Sequence, residues 1–190
     1  MDRMLSPDEF VECCIECLEN DGGSGGIAAL TRLALRSQRE EPAAWGRTEV
    51  VHCSDDLMIV DLTLPPFATS AIHEHRTWAV IGISEGREVD DILMERDGGL
   101  RWTSRHELRS GDILVLQPDC IHFIGNPLAV PSRGIHVYGR NLGSTDRRMW
   151  DPETCMPRTM DFAIFEQWEH TLTARSAAAG FIVAPALGTD

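Results

Sequence analysis

Between residues 50 and 139 the sequence repeats one pattern, in which short runs of apolar and β-branched residues are each closed by turn-forming residues. The run at 57–64 ends at Pro65-Pro66, and the run at 87–95 is followed by Asp97-Gly98-Gly99. Proline, glycine and aspartate interrupt strands and favour tight turns. Many short strands at regular spacing predict an antiparallel sandwich or barrel, so we expect an all-β core.

Helical signals lie before and after these strands. The stretch Ser6-Pro7-Asp8-Glu9 combines a capping serine, a proline suited to the first helical position and a glutamate that completes a capping box. We predict a first helix from there to about Asn20 and a second over residues 27–39, joined by a plain glycine linker at 22–26. A short third helix is expected over residues 162–174.

These signals predict one domain in three parts. Residues 1–44 hold the N-terminal helices packed on the barrel, residues 45–142 form the barrel, and residues 143–190 form a C-terminal extension. The last part of the extension, residues 176–190, is rich in alanine and glycine and is expected to be poorly ordered.

The charge of the chain disfavours two classes of partner. The 30 acidic and 17 basic residues give a formal net charge of −13, which would repel nucleic acid and anionic membranes. No apolar signal core begins the sequence and no run is long enough to span a bilayer, so we expect a cytoplasmic protein with reduced thiols. The pair Cys14-x-x-Cys17 lies in a helical pattern without a second pair, which favours a structural role.

Two histidines stand one residue apart in the strand-like stretch at 71–82. Alternate residues of a strand point to the same face, so His73 and His75 are expected to project together while Glu74 points away. Two imidazoles aimed into one space are typical of half a metal site. The alternative is a pair on the surface or a hydrogen-bonded pair in the core.

A second motif follows the turn at Gly111-Asp112, where Pro118, His122 and Asn126 recur at short intervals. Together with the histidine pair, it resembles the two motifs of the cupin superfamily, whose RmlC-like jelly-roll barrel holds one metal in its mouth. The usual cupin glutamate is absent, because the window 76–80 contains no carboxylate. The resemblance therefore implies a three-histidine facial triad as the metal ligands: His73, His75 and His122.

Within the cupins the sequence is similar to the thiol dioxygenases over about residues 45–155. Residues 73–82 resemble their His-Asp-His-Gly-x-Trp-x-Val-Ile-Gly segment, and residues 135–139 resemble their Ser-x-His-x-Tyr segment. Arg147 and the stretch 150–153 resemble the tail of the bacterial 3-mercaptopropionate dioxygenase branch. The resemblance implies an Fe(II) enzyme that adds O₂ to the sulfur of a small thiol carboxylate, 3-mercaptopropionate or cysteine, to give a sulfinate.

The resemblance also assigns roles around the metal. Tyr138 would act towards bound O₂ or substrate with His136 orienting its phenol, and Arg147 would hold the substrate carboxylate. We expect Arg76 and Trp78 to line the substrate pocket. Simpler interpretations remain: a hydrogen-bonded core histidine, a barrel-filling tyrosine, a surface arginine and a tryptophan of the core.

Three positions depart from the family. Gly134 replaces the serine that begins the Ser-His-Tyr relay, and Gly134→Ser should be tolerated if the relay assignment is right. Val80 replaces the cross-linking cysteine of the animal enzymes, and Arg76 replaces a small residue. These changes leave open a different small chelating substrate, or a non-catalytic cupin that binds a metal or ligand. Zinc, nickel or manganese could occupy such a site, and monomer and homodimer both remain open.

Overall fold

The structure is a computed structural model that describes residues 4–45 and 49–184. It contains three α-helices and eleven strands in these ranges, with a short 3₁₀ turn at Pro42–Ala44. The elements in chain order are α1 (Pro7–Glu19), α2 (Gly23–Glu40), β1 (Glu49–Cys53), β2 (Met58–Leu64), β3 (Ile72–Glu74), β4 (Ala79–Glu85), β5 (Arg87–Arg96), β6 (Gly99–Arg109), β7 (Ile113–Leu116), β8 (Ile121–Gly125), β9 (Ser132–Tyr138), β10 (Arg148–Trp150), β11 (Pro157–Thr159) and α3 (Phe162–Ala179).

The strands form two antiparallel sheets with the order of a jelly roll. One sheet runs β1-β2-β9-β4-β7 and the other β11-β10-β3-β8-β5-β6. Eight of these strands form a jelly roll. Strands β2, β9, β4 and β7 make up one four-stranded half, and strands β3, β8, β5 and β6 make up the other. The predicted fold class, an all-β jelly-roll barrel preceded by two α-helices, is confirmed.

Two predicted boundaries were wrong in the N-terminal half. The stretch at 71–82 is split between β3 and β4, which lie in different sheets, because the chain turns at residues 75–78 with Arg76 at a φ of 58°. The glycine run is no linker, since α2 begins at Gly23. A Cβ at Gly22 or Gly26 would collide with Sγ of Cys17, so these glycines let the two helices approach closely.

The C-terminal helix is longer than predicted. Helix α3 continues to Ala179, because its alanine-rich end is a good helix former, and it stops at Gly180 in the left-handed conformation. Ser176, expected in a poorly ordered tail, is fully buried and its hydroxyl hydrogen-bonds that of Thr69 at 2.8 Å. Residues 185–190 of that predicted tail lie outside the described residues.

Three separate apolar regions result from this arrangement, and one of them surrounds Phe123 on the second sheet. Helices α1 and α2 cover the outer face of the first sheet, where the rings of Phe10 and Trp45 lie 5.9 Å apart and Leu35 packs over Gly82. A second region fills the space between the sheets and includes Ile81 and Tyr138. The helices thus complete the outer core, and the barrel interior holds this second apolar region together with the polar groups described below.

Truncation of Phe10 tests whether α1 and the barrel unfold as one unit. Phe10 is fully buried, so Phe10→Ala should lower the free energy of unfolding by about 3–5 kcal/mol in a single transition followed by urea denaturation. Ile15→Ala on the exposed side of the same helix is the control and should change it by less than about 1 kcal/mol. Two resolved transitions would contradict a single cooperative domain.

Candidate metal centre

Three histidine side chains meet inside the barrel. His73 in β3 and His122 in β8 are directly paired across the second sheet, and His75 follows in the turn after β3. The Nε2 atom of His75 lies 3.1 Å from that of His73 and 3.4 Å from that of His122. These two separations match the roughly 3.0–3.4 Å expected between nitrogens bound to one ion at about 2.0–2.1 Å. All three ligand nitrogens lie within 4.8 Å of one another, which makes the cluster a candidate site for a metal ion.

The outer nitrogens of two ligands are held by acceptors, which fixes the direction of their inner nitrogens. The Nδ1–H of His73 donates to the carbonyl of Ala71 at 3.0 Å, and the Nδ1–H of His122 donates to Oδ1 of Asp90 at 2.9 Å. These contacts leave Nε2 free of hydrogen in both rings. Partners of this kind fix the tautomer of metal-binding histidines and raise their basicity.

Burial keeps the three imidazoles neutral. It is the largest cause that lowers the pKa of each ring, and the neighbouring cations add to it, with the pKa of His122 lowered to about 4. A neutral imidazole offers a lone pair, whereas a protonated one cannot bind a metal. All three rings are therefore in the metal-binding form at neutral pH.

The only tyrosine of the chain borders the cluster. The ring of Tyr138 lies 4.8 Å from that of His75, and its hydroxyl is 3.3 Å from Nδ1 of His136. Burial, followed by the charge of Glu88, raises the pKa of Tyr138, so its phenol stays protonated. Nε2 of His136 in turn lies 3.4 Å from Oε2 of Glu88.

Arg147 lies beside the cluster as a buried cation. Its guanidinium donates to the carbonyls of Leu142 at 3.3 Å and Glu74 at 3.5 Å, and stands 5.3 Å from the ring centre of Phe162. It is 6% exposed and has no carboxylate partner among the described residues. Burial lowers the pKa of this arginine, which stays cationic at neutral pH. The site therefore offers an unpaired positive charge to an anion.

The structure does not bring the other two predicted substrate residues to the cluster. Arg76 is half exposed and pairs with Glu74 at 2.6 Å on the opposite side of β3. Trp78 packs on Gly139 and on the apolar cluster beneath the helices, outside the barrel.

Four residues near the site were missed in the sequence. Phe165 of α3 contacts His73 edge to face at 5.2 Å, and Phe162 lies against the guanidinium described above. Glu88 and Asp90 of β5 point into the barrel and are almost fully buried. Their i, i+2 spacing in a predicted strand was a usable signal, since it puts two carboxylates on one face.

The expected tolerance of Gly134→Ser is contradicted. Gly134 of β9 packs so closely on β4 that a Cβ built there would fall on the carbonyl oxygen of Gly82. A contact with backbone cannot be relieved by a side-chain rotation. A serine therefore does not fit at this position of this barrel.

Comparison with known proteins finds structural likeness at low similarity. No protein-family model matches the chain. Similar structures include an RmlC-like cupin with a double-stranded β-helix fold from Methanocaldococcus jannaschii, with 14% identity and a TM-score of 0.42 over 50% of this chain and 81% of that one. A double-stranded β-helix protein from Klebsiella pneumoniae has 20% identity and a TM-score of 0.41, over 50% and 71%.

An oxalate oxidase in complex with glycolate is a further match, with 19% identity and a TM-score of 0.40 over 45% of this chain. The matched part spans only 42% of the oxalate oxidase chain. Within the part of the chain that the structure describes, no helix is both long and apolar enough to cross a membrane.

Single replacements of the three histidines test the cluster. Each of His73→Ala, His75→Ala and His122→Ala removes one of three ligands, so each should lower the affinity for Fe(II) or its Co(II) substitute at least about tenfold. The amount of metal that each variant retains after dialysis is measured by mass spectrometry. His170→Ala, at an exposed position on α3, is the matched control and should retain the metal fully. A ligand variant that binds like the control would remove that histidine from the site.

Proposed function

We propose that the protein is an Fe(II)-dependent dioxygenase that acts on a small thiol carboxylate such as 3-mercaptopropionate or cysteine. The observation that carries this proposal is the buried guanidinium of Arg147 beside three converging, neutral histidines. A thiol carboxylate has one group for each of these features: sulfur for the metal and a carboxylate for the arginine. Arginine binds carboxylates through paired, charge-assisted hydrogen bonds.

The three histidines support a metal whose other positions stay available to small molecules. Neutral ligands leave the charge of a divalent ion uncompensated, which favours an anionic sulfur ligand. When bound there, Fe(II) would supply the redox chemistry with O₂ and lower the pKa of the thiol. In the overall reaction a thiolate and O₂ give a sulfinate, so sulfur loses four electrons and O₂ gains them.

The surrounding residues support a small substrate. Phe165 packs on His73 and Phe162 on Arg147, so α3 closes part of the space next to the cluster with aromatic rings. Tyr138 keeps its proton and borders His75, which suits it to donate a hydrogen bond to the reacting molecule. These contacts favour a molecule of a few heavy atoms, with its thiol and carboxylate at opposite ends.

Oxygen consumption with a panel of thiols tests the proposal. Protein loaded with Fe(II) under anaerobic conditions should consume O₂ with 3-mercaptopropionate or cysteine and form the sulfinate, detected by mass spectrometry. Arg147→Gln should raise KM for 3-mercaptopropionate about 10-fold or more, because a charge-assisted hydrogen bond contributes about 1.5–3 kcal/mol. KM for cysteamine, which has no carboxylate, should change little.

Arg140→Gln is the matched control, since Arg140 is an exposed arginine seven residues earlier. It should leave both KM values unchanged. Equal losses with 3-mercaptopropionate and cysteamine in Arg147→Gln would remove the carboxylate role of Arg147. An iron-loaded protein that consumes O₂ with none of the thiols contradicts the thiol dioxygenase proposal, and a β-diketone in the same assay detects another chelating substrate.

A further inference from the structure

Glu88 is a carboxylate buried inside the barrel without a lysine or arginine partner in the described structure. It lies on β5 with 1% of its surface exposed, and its ion-pair partner is His136, at 3.4 Å between Oε2 and Nε2. Neither Oε1 of Glu88 nor Nε2 of His136 has a hydrogen-bond partner among the described residues, so the two side chains face each other as an ion pair that lacks hydrogen-bond geometry. Removing a carboxylate from water costs several kcal/mol, so a carboxylate in this position is expected only where it interacts with a specific group.

We propose that Glu88 is a positioning residue, which anchors His136 and thereby directs the hydroxyl of Tyr138 towards the three-histidine centre. The inference rests on the proposed function to the extent that Tyr138 acts on a molecule bound there. It replaces the serine of the Ser-His-Tyr relay by a carboxylate that reaches His136 from the opposite sheet.

The backbone explains why the anchor comes from another strand. Position 134 has no room for a side chain, because a Cβ there would fall on the carbonyl oxygen of Gly82. The neighbour of His136 along β9 therefore cannot supply a hydroxyl. Strand β5 lies in the other sheet, and its inward-facing Glu88 approaches the outer nitrogen of the same imidazole.

The charge of Glu88 determines how the hydrogen atoms of the His136 ring and of the Tyr138 hydroxyl are arranged. Nδ1 of His136 is 3.3 Å from the hydroxyl of Tyr138. A neutral His136 with its proton on Nε2 would accept the phenol hydrogen at Nδ1 and turn it away from the metal ligands. A doubly protonated His136 instead donates from Nδ1 to the phenol oxygen. The hydroxyl hydrogen of Tyr138 is then free for a molecule at the centre.

The neighbouring carboxylates shift His136 towards the doubly protonated form. Burial alone would lower the pKa of His136, but the nearby carboxylate of Glu88, and then Asp90, outweigh it and raise the pKa. The pKa of Asp90 is itself raised well above its usual range by burial and then by the charge of Glu88. The remaining ionisable groups around this ring are Tyr138, the three histidine ligands and Arg147, of which only Arg147 is charged at neutral pH. Replacement of Glu88 therefore changes the protonation of His136 and leaves all three histidine ligands in place.

Nuclear magnetic resonance of the metal-free protein tests this without any assay of activity. With ¹⁵N-labelled histidine, the His136 ring, assigned by comparison with His136→Gln, should show both nitrogens protonated at pH 7. Glu88→Gln keeps the shape but removes the charge, and should convert the ring to a singly protonated form. The ¹³C-labelled ring of Tyr138 should shift with it, and its signal is unambiguous because the chain has one tyrosine.

Kinetics give the second readout. In the iron-loaded enzyme, Glu88→Gln should lower kcat about 10- to 100-fold with 3-mercaptopropionate and change KM less than about twofold, as expected for loss of an orienting partner. Glu107→Gln is the matched control, because this glutamate lies on the adjacent strand β6 but is exposed. It should alter neither the His136 signals nor kcat.

Three outcomes would overturn the inference. These are a singly protonated His136 in the wild-type protein, an unchanged His136 signal in folded Glu88→Gln, or a kcat no lower than that of Glu107→Gln. If Glu88→Gln does not fold, the inference is tested by the wild-type spectrum and by Glu88→Asp. The aspartate keeps the negative charge, so His136 should stay doubly protonated in that variant. A wild-type enzyme inactive with every thiol would contradict the proposed function alone, since the Glu88–His136 result is read in metal-free protein.

Discussion

The register between β3 and β8 determines whether this barrel has a metal centre at all. It pairs His73 directly with His122 and brings together ligands that are 49 residues apart in the chain. Side chains alternate between the faces of a sheet, so a slip by one residue would turn His122 out of the barrel. Strand β8 is also paired with β5, and the same register brings Asp90 to the outer nitrogen of His122. One set of backbone hydrogen bonds thus fixes the third ligand and its support.

Charged side chains are paired differently on the two faces of the second sheet. On the outer face Glu74 is paired with Arg76 and Arg148, so its charge is compensated within the protein. The inner face carries neutral histidines together with Glu88, and the buried Arg147 lies beside them. Charges in such an interior are weakly screened and act over several ångströms. The protonation of each interior group therefore depends on the others. For this reason, removal of the Glu88 carboxylate is expected to change the hydrogen bonding of the Tyr138 hydroxyl.

The sequence predicted the barrel and two of the three ligands from periodicity alone, because β-branched runs and a one-residue spacing are local signals. His122 required a motif, since nothing local indicates which strand pairs with β3. Glu88 was missed because inward-facing acidic residues contradict the rule that strands place apolar residues inside. The close approach of β9 to β4 at Gly134 was also not predictable, since it depends on the packing of two strands distant in sequence.

The aromatic cover of the centre comes from the last helix of the chain. All three ligands precede residue 123 and the last strand of the jelly roll ends at Tyr138, whereas Phe162 and Phe165 belong to α3. The ligands and their aromatic cover therefore belong to separate segments of the chain. A change confined to α3 can alter access to the centre while every metal ligand stays in place.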